Sequence, residues 1–510
     1  MKIQKVFRSL MVQALALAIL LIGICVNPSR SYMIDSLPKV DNISLPGANG
    51  ATNNTVFAFD RYAIVAPFGP SSDSAIAEGD DLDKFDNNII YLFDTKRPDS
   101  GPKTGKLNNC YFPTKVAFDA GSGTVFVRGT EYVKVGPGEF EAHEVLVHIR
   151  LQLGNDEKPV FDPDGAVPIR IQGRFGETTE DAPNDFAIGQ GGKILVFTNG
   201  YTIFTYDLVS GDVYPVGIDN RSNNVVTYLS VDESNTLVVA TSARIEENES
   251  EVNFTSDLYF YKLERDGSVN LLRHISPKIF GEGIFLSAGS NSAVSIDPNL
   301  GTAEYGYFTT NDGSVWQVDL RIKDELAGIE RITLIPEFAQ AAGAEPGPVF
   351  TKYERSKKLL TVVKQGGFGK IRRPTFVERS GRIRRPTFTQ YDGPAAIAMV
   401  QLSKKNRVTG QRVFDKLFGK EYRISNLVAG QGAVGLIATY SGLVFAVDSS
   451  VSLDRASISF IGELGSRIEY IAYNTGRQSL TAISSYGYDD ENQTMIPGSV
   501  LFAKIPLSSD

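Results

Sequence analysis

Gly189–Asp207 reads GQGGKILVFTNGYTIFTYD, and Gly430–Asp448 reads GQGAVGLIATYSGLVFAVD. Both stretches run turn, β-rich strand, tight turn, β-rich strand, Asp. Tyr307–Asp319 (YFTTNDGSVWQVD) ends the same way. Runs of this type, with period-two patterning and Gly or Asn at the turns, read as strands joined by hairpins. Their recurrence along one chain is the signature of a repeat architecture.

With these units as templates, eight repeats can be traced. The first uses Val56–Phe59, Tyr62–Pro67 and Ile89–Phe93, and the second uses Lys115–Phe118, Thr124–Arg128 and Val145–Ile149. The third is the 189–207 unit. The fourth uses Val225–Val231, Thr236–Thr241 and Leu258–Leu263, and the fifth covers Ala293–Asp319. The sixth uses Val349–Tyr353, Lys358–Val363 and Ala396–Leu402. The seventh is the 430–448 unit, and the eighth uses Ile468–Tyr473, Ser479–Ser484 and Ser499–Ile505. Short extra strands such as Pro168–Gln172, Val269–Ile275, Glu330–Ile335 and Ser457–Ile461 fall between units. Four-stranded sheets repeated radially make a β-propeller. The expectation is therefore an all-β chain forming a single propeller of eight four-stranded blades. Seven is the alternative count, because the first unit is the least regular.

The endings Thr310–Asp319 (TNDGSVWQVD) and Ser441–Asp448 (SGLVFAVD) resemble quinoprotein-like and YVTN-type propeller repeats, in which this stretch is the outer hairpin of a blade. The resemblance implies a fold and not an activity. Catalytic quinoproteins resemble one another through many blade tryptophans, and this chain has only Trp316. WD40 repeats are not matched, since Gln317 follows that tryptophan.

The 510 residues are 22% charged and 42% hydrophobic, a globular composition. Lys2, Lys5 and Arg8 precede an apolar run from Leu10 to Val26, and Ser29 and Ser31 offer a small-residue exit before Tyr32. That order is the order of a secretory signal. The domain reading is a signal peptide, or a retained N-terminal anchor, over 1–31 and a propeller over 32–510. Loss of 1–31 removes Lys2, Lys5, Arg8 and Arg30, leaving 47 basic against 59 acidic side chains and a net charge of −12. A general nucleic-acid role is excluded on that charge. Of the two cysteines only Cys110 remains, in a strand-like stretch from Leu107 to Phe112, where it reads as a buried, inert thiol.

Long insertions recur at the equivalent hairpin of five units: Gly69–Asn88, Gly129–Glu144, Ser242–Asp257, Gln365–Pro394 and Ser485–Gly498. Equivalent hairpins of a propeller share one face, and insertions gathered there mark a working face. The first carries Asp81, Asp83 and Asp86, carboxylates that suit Ca²⁺ but lack the EF-hand spacing, so they read first as a solvated acidic loop. No cofactor is expected. The insertion at 365–394 is the exception in sign. It holds a tandem copy of IRRPTF, at Ile371–Phe376 and Ile383–Phe388. Eight cations between Lys364 and Asp392 face only Glu378 and Asp392. Arg372, Arg373 and Phe376, repeated as Arg384, Arg385 and Phe388, pair guanidinium forks with an aromatic, a set that suits carboxylate, sulfate or phosphate. Pairing of this loop with the chain's own acidic loops is the bland reading.

Apparent catalytic motifs dissolve on inspection. Gly430–Gly435 fits GxGxxG, but a strand follows where the fingerprint needs a helix. His143 and His148 are five apart on a strand pattern, so they point to opposite faces, and no GxSxG elbow is present. Six Asn-X-Ser/Thr sites occur, at Asn42, Asn53, Asn220, Asn248, Asn253 and Asn492. The leading expectation is a secreted, periplasmic or cell-surface binding propeller that recognises a protein or anionic glycan through its long outer hairpins. It would touch a membrane only through an uncleaved anchor. The alternatives are a secreted carboxylate-dependent hydrolase or lyase working at the central channel, and a periplasmic or envelope assembly scaffold.

Overall fold

A computed structural model of the chain describes residues 41–505. Within that span the larger undescribed stretches are 45–55, 67–87, 170–184, 219–224, 281–283, 288–292, 297–300, 340–348, 373–387, 391–394, 416–423, 430–433 and 490–493; shorter ones of one to three residues fall elsewhere. Eight antiparallel sheets of four main strands follow one another along the chain. Each blade runs from an innermost to an outermost strand, so its first and last turns lie on one face of the disc and its middle hairpin on the other. Blade 3 is the plainest: Asp185–Gly189, Ile194–Thr198, Ile203–Asp207 and Val213–Val216 pair in sequence order.

The second strand of that blade is buried at every position because both of its faces meet a neighbour. Alternation along the strand divides the work. Leu195 and Phe197 pack with Phe126 and Leu146 of blade 2, while Ile194 and Val196 pack with Leu237 and Val239 of blade 4. Among the described residues eight apolar clusters form, each spanning two adjacent blades. Eight blades and eight interfaces make a closed ring, which settles the count at eight. A buried aliphatic or aromatic side chain contributes roughly 1.5–3 kcal/mol, so these seams hold most of the stability.

The last interface is closed from the other end of the chain. Ile468–Asn474, Ser479–Ser484 and Ser499–Lys504 supply three strands of blade 8, and Asp41–Ser44 supplies its outermost. Asp41 lies opposite Phe502 and Ser44 opposite Ser499. Phe502 in turn packs on Phe93 of blade 1, with ring centroids 5.4 Å apart, and Ile43 lies against the same cluster.

Two sequence expectations are refined. The insertions at 129–144 and 242–257 are not loops: the strands Thr124–Gly136 and Glu139–Leu153, and Thr236–Asn248 and Glu251–Leu263, run on through them as two-stranded ribbons. Cys110 lies in the turn before the strand Tyr111–Asp119 rather than within it, its N–H donating to the Leu107 carbonyl. It is fully buried, as expected.

Ring closure predicts that a chain beginning at residue 47 is less stable than one beginning at residue 32. The loss of one paired strand and the packing of Ile43 is on the order of 2–4 kcal/mol. Denaturant titration should show the lower midpoint, partly restored by a peptide spanning 38–47; equal midpoints would sink the assignment.

Candidate functional site

The middle hairpins of all eight blades rise on one face, here termed the crown. In blades 3, 5 and 7 they are minimal, and threonine builds two of them directly. The Thr198 hydroxyl donates to the Thr202 carbonyl, and Thr439 Oγ1 accepts from the Leu443 N–H at 3.0 Å. In blade 5 Thr310 donates to Asp312 and accepts from Trp316 Nε1. A glycine at positive φ completes each turn: Gly200, Gly313 and Gly442. The chain then passes directly over these glycines. The N–H groups of Val226, Ile335 and Leu464 donate to the carbonyls of Gly200, Gly313 and Gly442.

Blades 1, 2, 4, 6 and 8 carry long hairpins instead, and the paired ribbons described in blades 2, 4, 6 and 8 stand a quarter-turn apart around the ring. In blade 6 Lys370–Arg372 pairs with Phe388–Gln390, and in blade 8 Gly487–Asp489 pairs with Thr494–Ile496. The insertion of blade 1 lies outside the described residues. The expectation placed these insertions on outer hairpins; they stand between the second and third strands, in the middle of each blade.

Of the basic-loop residues, Arg372 and Phe388 lie directly opposite one another in the blade 6 ribbon. Arg373, Phe376, Arg384 and Arg385 lie outside the described residues, as do the Ca²⁺ candidates Asp81, Asp83 and Asp86. Among the described residues no group of three His, Cys, Asp or Glu side chains is placed to hold a metal.

The roots of the ribbons hold buried charge that no sequence motif announced. In blade 2 Arg128 pairs with Glu144 at 3.0 Å and donates to Thr114. Burial raises the Glu144 pKa above its ordinary value, and Arg128 opposes that shift. Burial likewise raises the Cys110 thiol, which lies so close beneath Gly129 that a Cβ there would sit 2.5 Å from its sulfur. In blade 4 the buried Asp257 contacts His274 Nε2 at 2.8 Å, and that imidazole stacks on Tyr259 with centroids 4.4 Å apart. In blade 6 the buried Lys364 donates to the carbonyl of Glu337 at 3.0 Å. These contacts tie the ribbon roots of blades 2, 4 and 6 to the disc.

The histidines of the near-HExxH stretch do separate, as the strand pattern predicts. His143 approaches Glu141 at 3.5 Å while His148 packs on Phe126. The strand Val434–Thr439 follows the GxGxxG glycines. On the innermost strands Asp185 is paired with Lys115 at 2.7 Å. Burial lowers the pKa of Lys352 and pushes Tyr228 up to about 12.

No family model matches the chain, and a search of curated proteins finds no match. Solved structures do resemble it. Sqt1 from Chaetomium thermophilum aligns with a TM-score of 0.50 at 10% identity, over 91% of this chain and 99% of that one. Sqt1 from Saccharomyces cerevisiae gives 0.49 at 10% identity, over 93% and 100%. A structure described as RRP9 WD40 repeats gives 0.38 at 10% identity, over 77% and 94%. At such identities the likeness concerns the fold, a β-propeller, and the narrower quinoprotein-like resemblance gains nothing from it.

Two outcomes follow from the crown's geometry. A Cβ at Gly442 would lie 1.3 Å from the Gly465 carbonyl oxygen, and one at Gly313 would lie 2.3 Å from that of Ile335. Gly442→Ala should therefore cost more than about 2 kcal/mol in denaturant titration, against about 1 kcal/mol for Gly101→Ala, where φ is +76° but space is open. The second outcome concerns pH. Because the folded-state pKa of Glu144 is raised, its contribution to stability is present below its ordinary value of 4.5 and is lost as pH rises through the folded value. The stability difference between the native chain and Glu144→Gln should shift against the native chain over that rise, as read by urea midpoints at stepped pH.

Proposed function

We propose that this chain is a secreted or cell-surface binding scaffold that holds a protein partner on its crown. One observation carries the reading: the long hairpins of blades 1, 2, 4, 6 and 8 all leave from a single face, while those of blades 3, 5 and 7 are held to their shortest form. A rigid disc that presents several loops in fixed relation suits recognition. The ribbon of blade 6 is the principal contact in this reading. Its two IRRPTF copies place arginine pairs beside phenylalanine, which favours acidic side chains on the partner, and guanidinium forks bind carboxylates in pairs.

The test uses the chain beginning at residue 32 and the same chain lacking 369–390. The deletion ends at the 370–372 and 388–390 ribbon and leaves the four main strands of blade 6 intact. Both are probed on arrays of acidic surface proteins and of anionic glycans, with salt titration. Retention on proteins that disappears with the ribbon and weakens with salt is expected. Retention on glycans alone would replace the partner class, and equal retention by both chains would refute the role of the basic ribbon.

A further inference from the structure

The opposite face of the disc, built from the first and last turns of each blade, is plain, and it is where the first described strand begins. Asp41 pairs with Phe502 and Ser44 with Ser499, the residue that begins the third strand at the crown end. The closing strand therefore runs from the plain face to the crown. Asp41, the first described residue, stands at the plain-face end of blade 8. The C-terminal end leaves there too, with the Ile505 N–H donating to the Gln478 carbonyl in the first turn of that blade.

On the same face, two blades away, blade 6 is basic. The first turn of blade 6 carries Arg355, Lys357 and Lys358, and its last turn carries Lys404, Lys405 and Arg407. The Gln401 amide binds the two turns together by donating to the Lys357 carbonyl at 2.6 Å. Arg355, Lys404, Lys405 and Arg407 are exposed, and Glu354, which accepts from the Ser356 hydroxyl, is the one carboxylate within these two turns. Arg455, Arg477 and Lys504 extend the positive sector across blades 7 and 8, with Asp454 among them. Apolar side chains flank the sector. Leu326 on blade 5 is 73% exposed and Phe59 on blade 1, edge-on against Phe118, is 50% exposed, both on plain-face turns, and Val209 on the plain face of blade 3 is 82% exposed. Carboxylates at Asp212, Glu264 and Asp266 face the same side on blades 3 and 4, whereas Asp324 on blade 5 and Asp99 on blade 1 stand beside Arg321, Lys323, Lys96 and Arg97, so the sector from blade 5 round to blade 1 keeps a cationic excess, densest on blade 6.

We infer that the plain face, over the sector from blade 5 through blades 6–8 to blade 1, docks on the surface of an anionic bilayer, with the crown turned away from it. Cations that meet headgroup phosphates, beside apolar side chains that enter the interface, are the two components of peripheral membrane attachment. A soluble polyanion would use the first and leave the second without a role. The inference does not rest on the crown's partner, since the two faces share no residues.

The chain from residue 32 retains every described strand, and its partition onto vesicles is the test. Sedimentation with vesicles of phosphatidylcholine alone, and with about one-third phosphatidylglycerol, should show uptake by the anionic vesicles only, lost in 0.5 M salt. The charge variant K404E/K405E/R407E should bind at least about tenfold more weakly. Leu326→Ser should bind about threefold more weakly. All three substituted cations and Leu326 lie on surface turns, and unchanged thermal unfolding confirms the fold. Equal uptake by neutral vesicles, an undiminished partition of either variant, or retention on heparin beads without vesicle uptake would overturn the inference.

Discussion

Ring closure is the constraint on which the rest depends. Every blade buries both faces of its second strand against neighbours, so no blade is complete until the last meets the first. The seam between blades 8 and 1 is made by Ile483, Val500 and Phe502 against Ala63, Val65, Tyr91 and Phe93. Four residues near the N-terminus then lie along the strand that carries Val500 and Phe502. Those two side chains face blade 1 from a strand that would otherwise be the sheet's edge. An uncovered edge would present unpaired N–H and C=O groups to solvent and to other chains.

The crown is a product of sterics as much as of insertion. In blades 5 and 7 the connection to the next blade crosses the middle turn closely enough that only glycine fits beneath it, and the glycine carbonyl receives a hydrogen bond from above. Such a turn cannot lengthen without displacing the crossing chain. The hairpins of blades 2 and 4 leave the disc as continuous ribbons, so added residues extend the ladder outward. Short and long hairpins coexist around the ring because a clamped turn and a free ribbon are different local solutions at the same topological point.

How much of this was readable depends on the separation of partners along the chain. Gly189–Asp207 and Gly430–Asp448 were legible because their short turns keep two apolar strands within one glance of each other. The closing strand was not, since DNIS holds one apolar residue and its partner lies at the far end of the chain. The ribbon strands at 129–144 and 242–257 read as loops because Gly136-Pro137-Gly138 in the first and Glu246, Glu247, Glu249 and Glu251 in the second stand in place of a sustained apolar pattern. The buried pairs Arg128–Glu144 and Asp257–His274 join neighbouring strands, and nothing local marks a carboxylate as buried. The basic loop stood out by composition alone, and its anchoring on a paired ribbon is what the fold adds.

Blade 6 shows why the fold matters to the charge argument. From Val349 to Phe414 it holds 16 lysines and arginines against three carboxylates, within a chain that is otherwise strongly acidic. Read linearly, this is one basic segment with one presumed target. The sheet divides it. Lys364 is drawn inside to hold the Glu337 and Ala339 carbonyls. The IRRPTF copies belong to the insertion that leaves on the crown side, while Arg355–Lys358 and Lys404–Arg407 are held on the plain side by the turns of the same four strands. Cations on opposite faces of a disc cannot converge on one small ligand. Such a distribution suits two separate negative bodies, or one body wide enough to wrap the rim. Salt screening weakens both contacts, but only a two-body arrangement lets one be removed by substitution while the other persists.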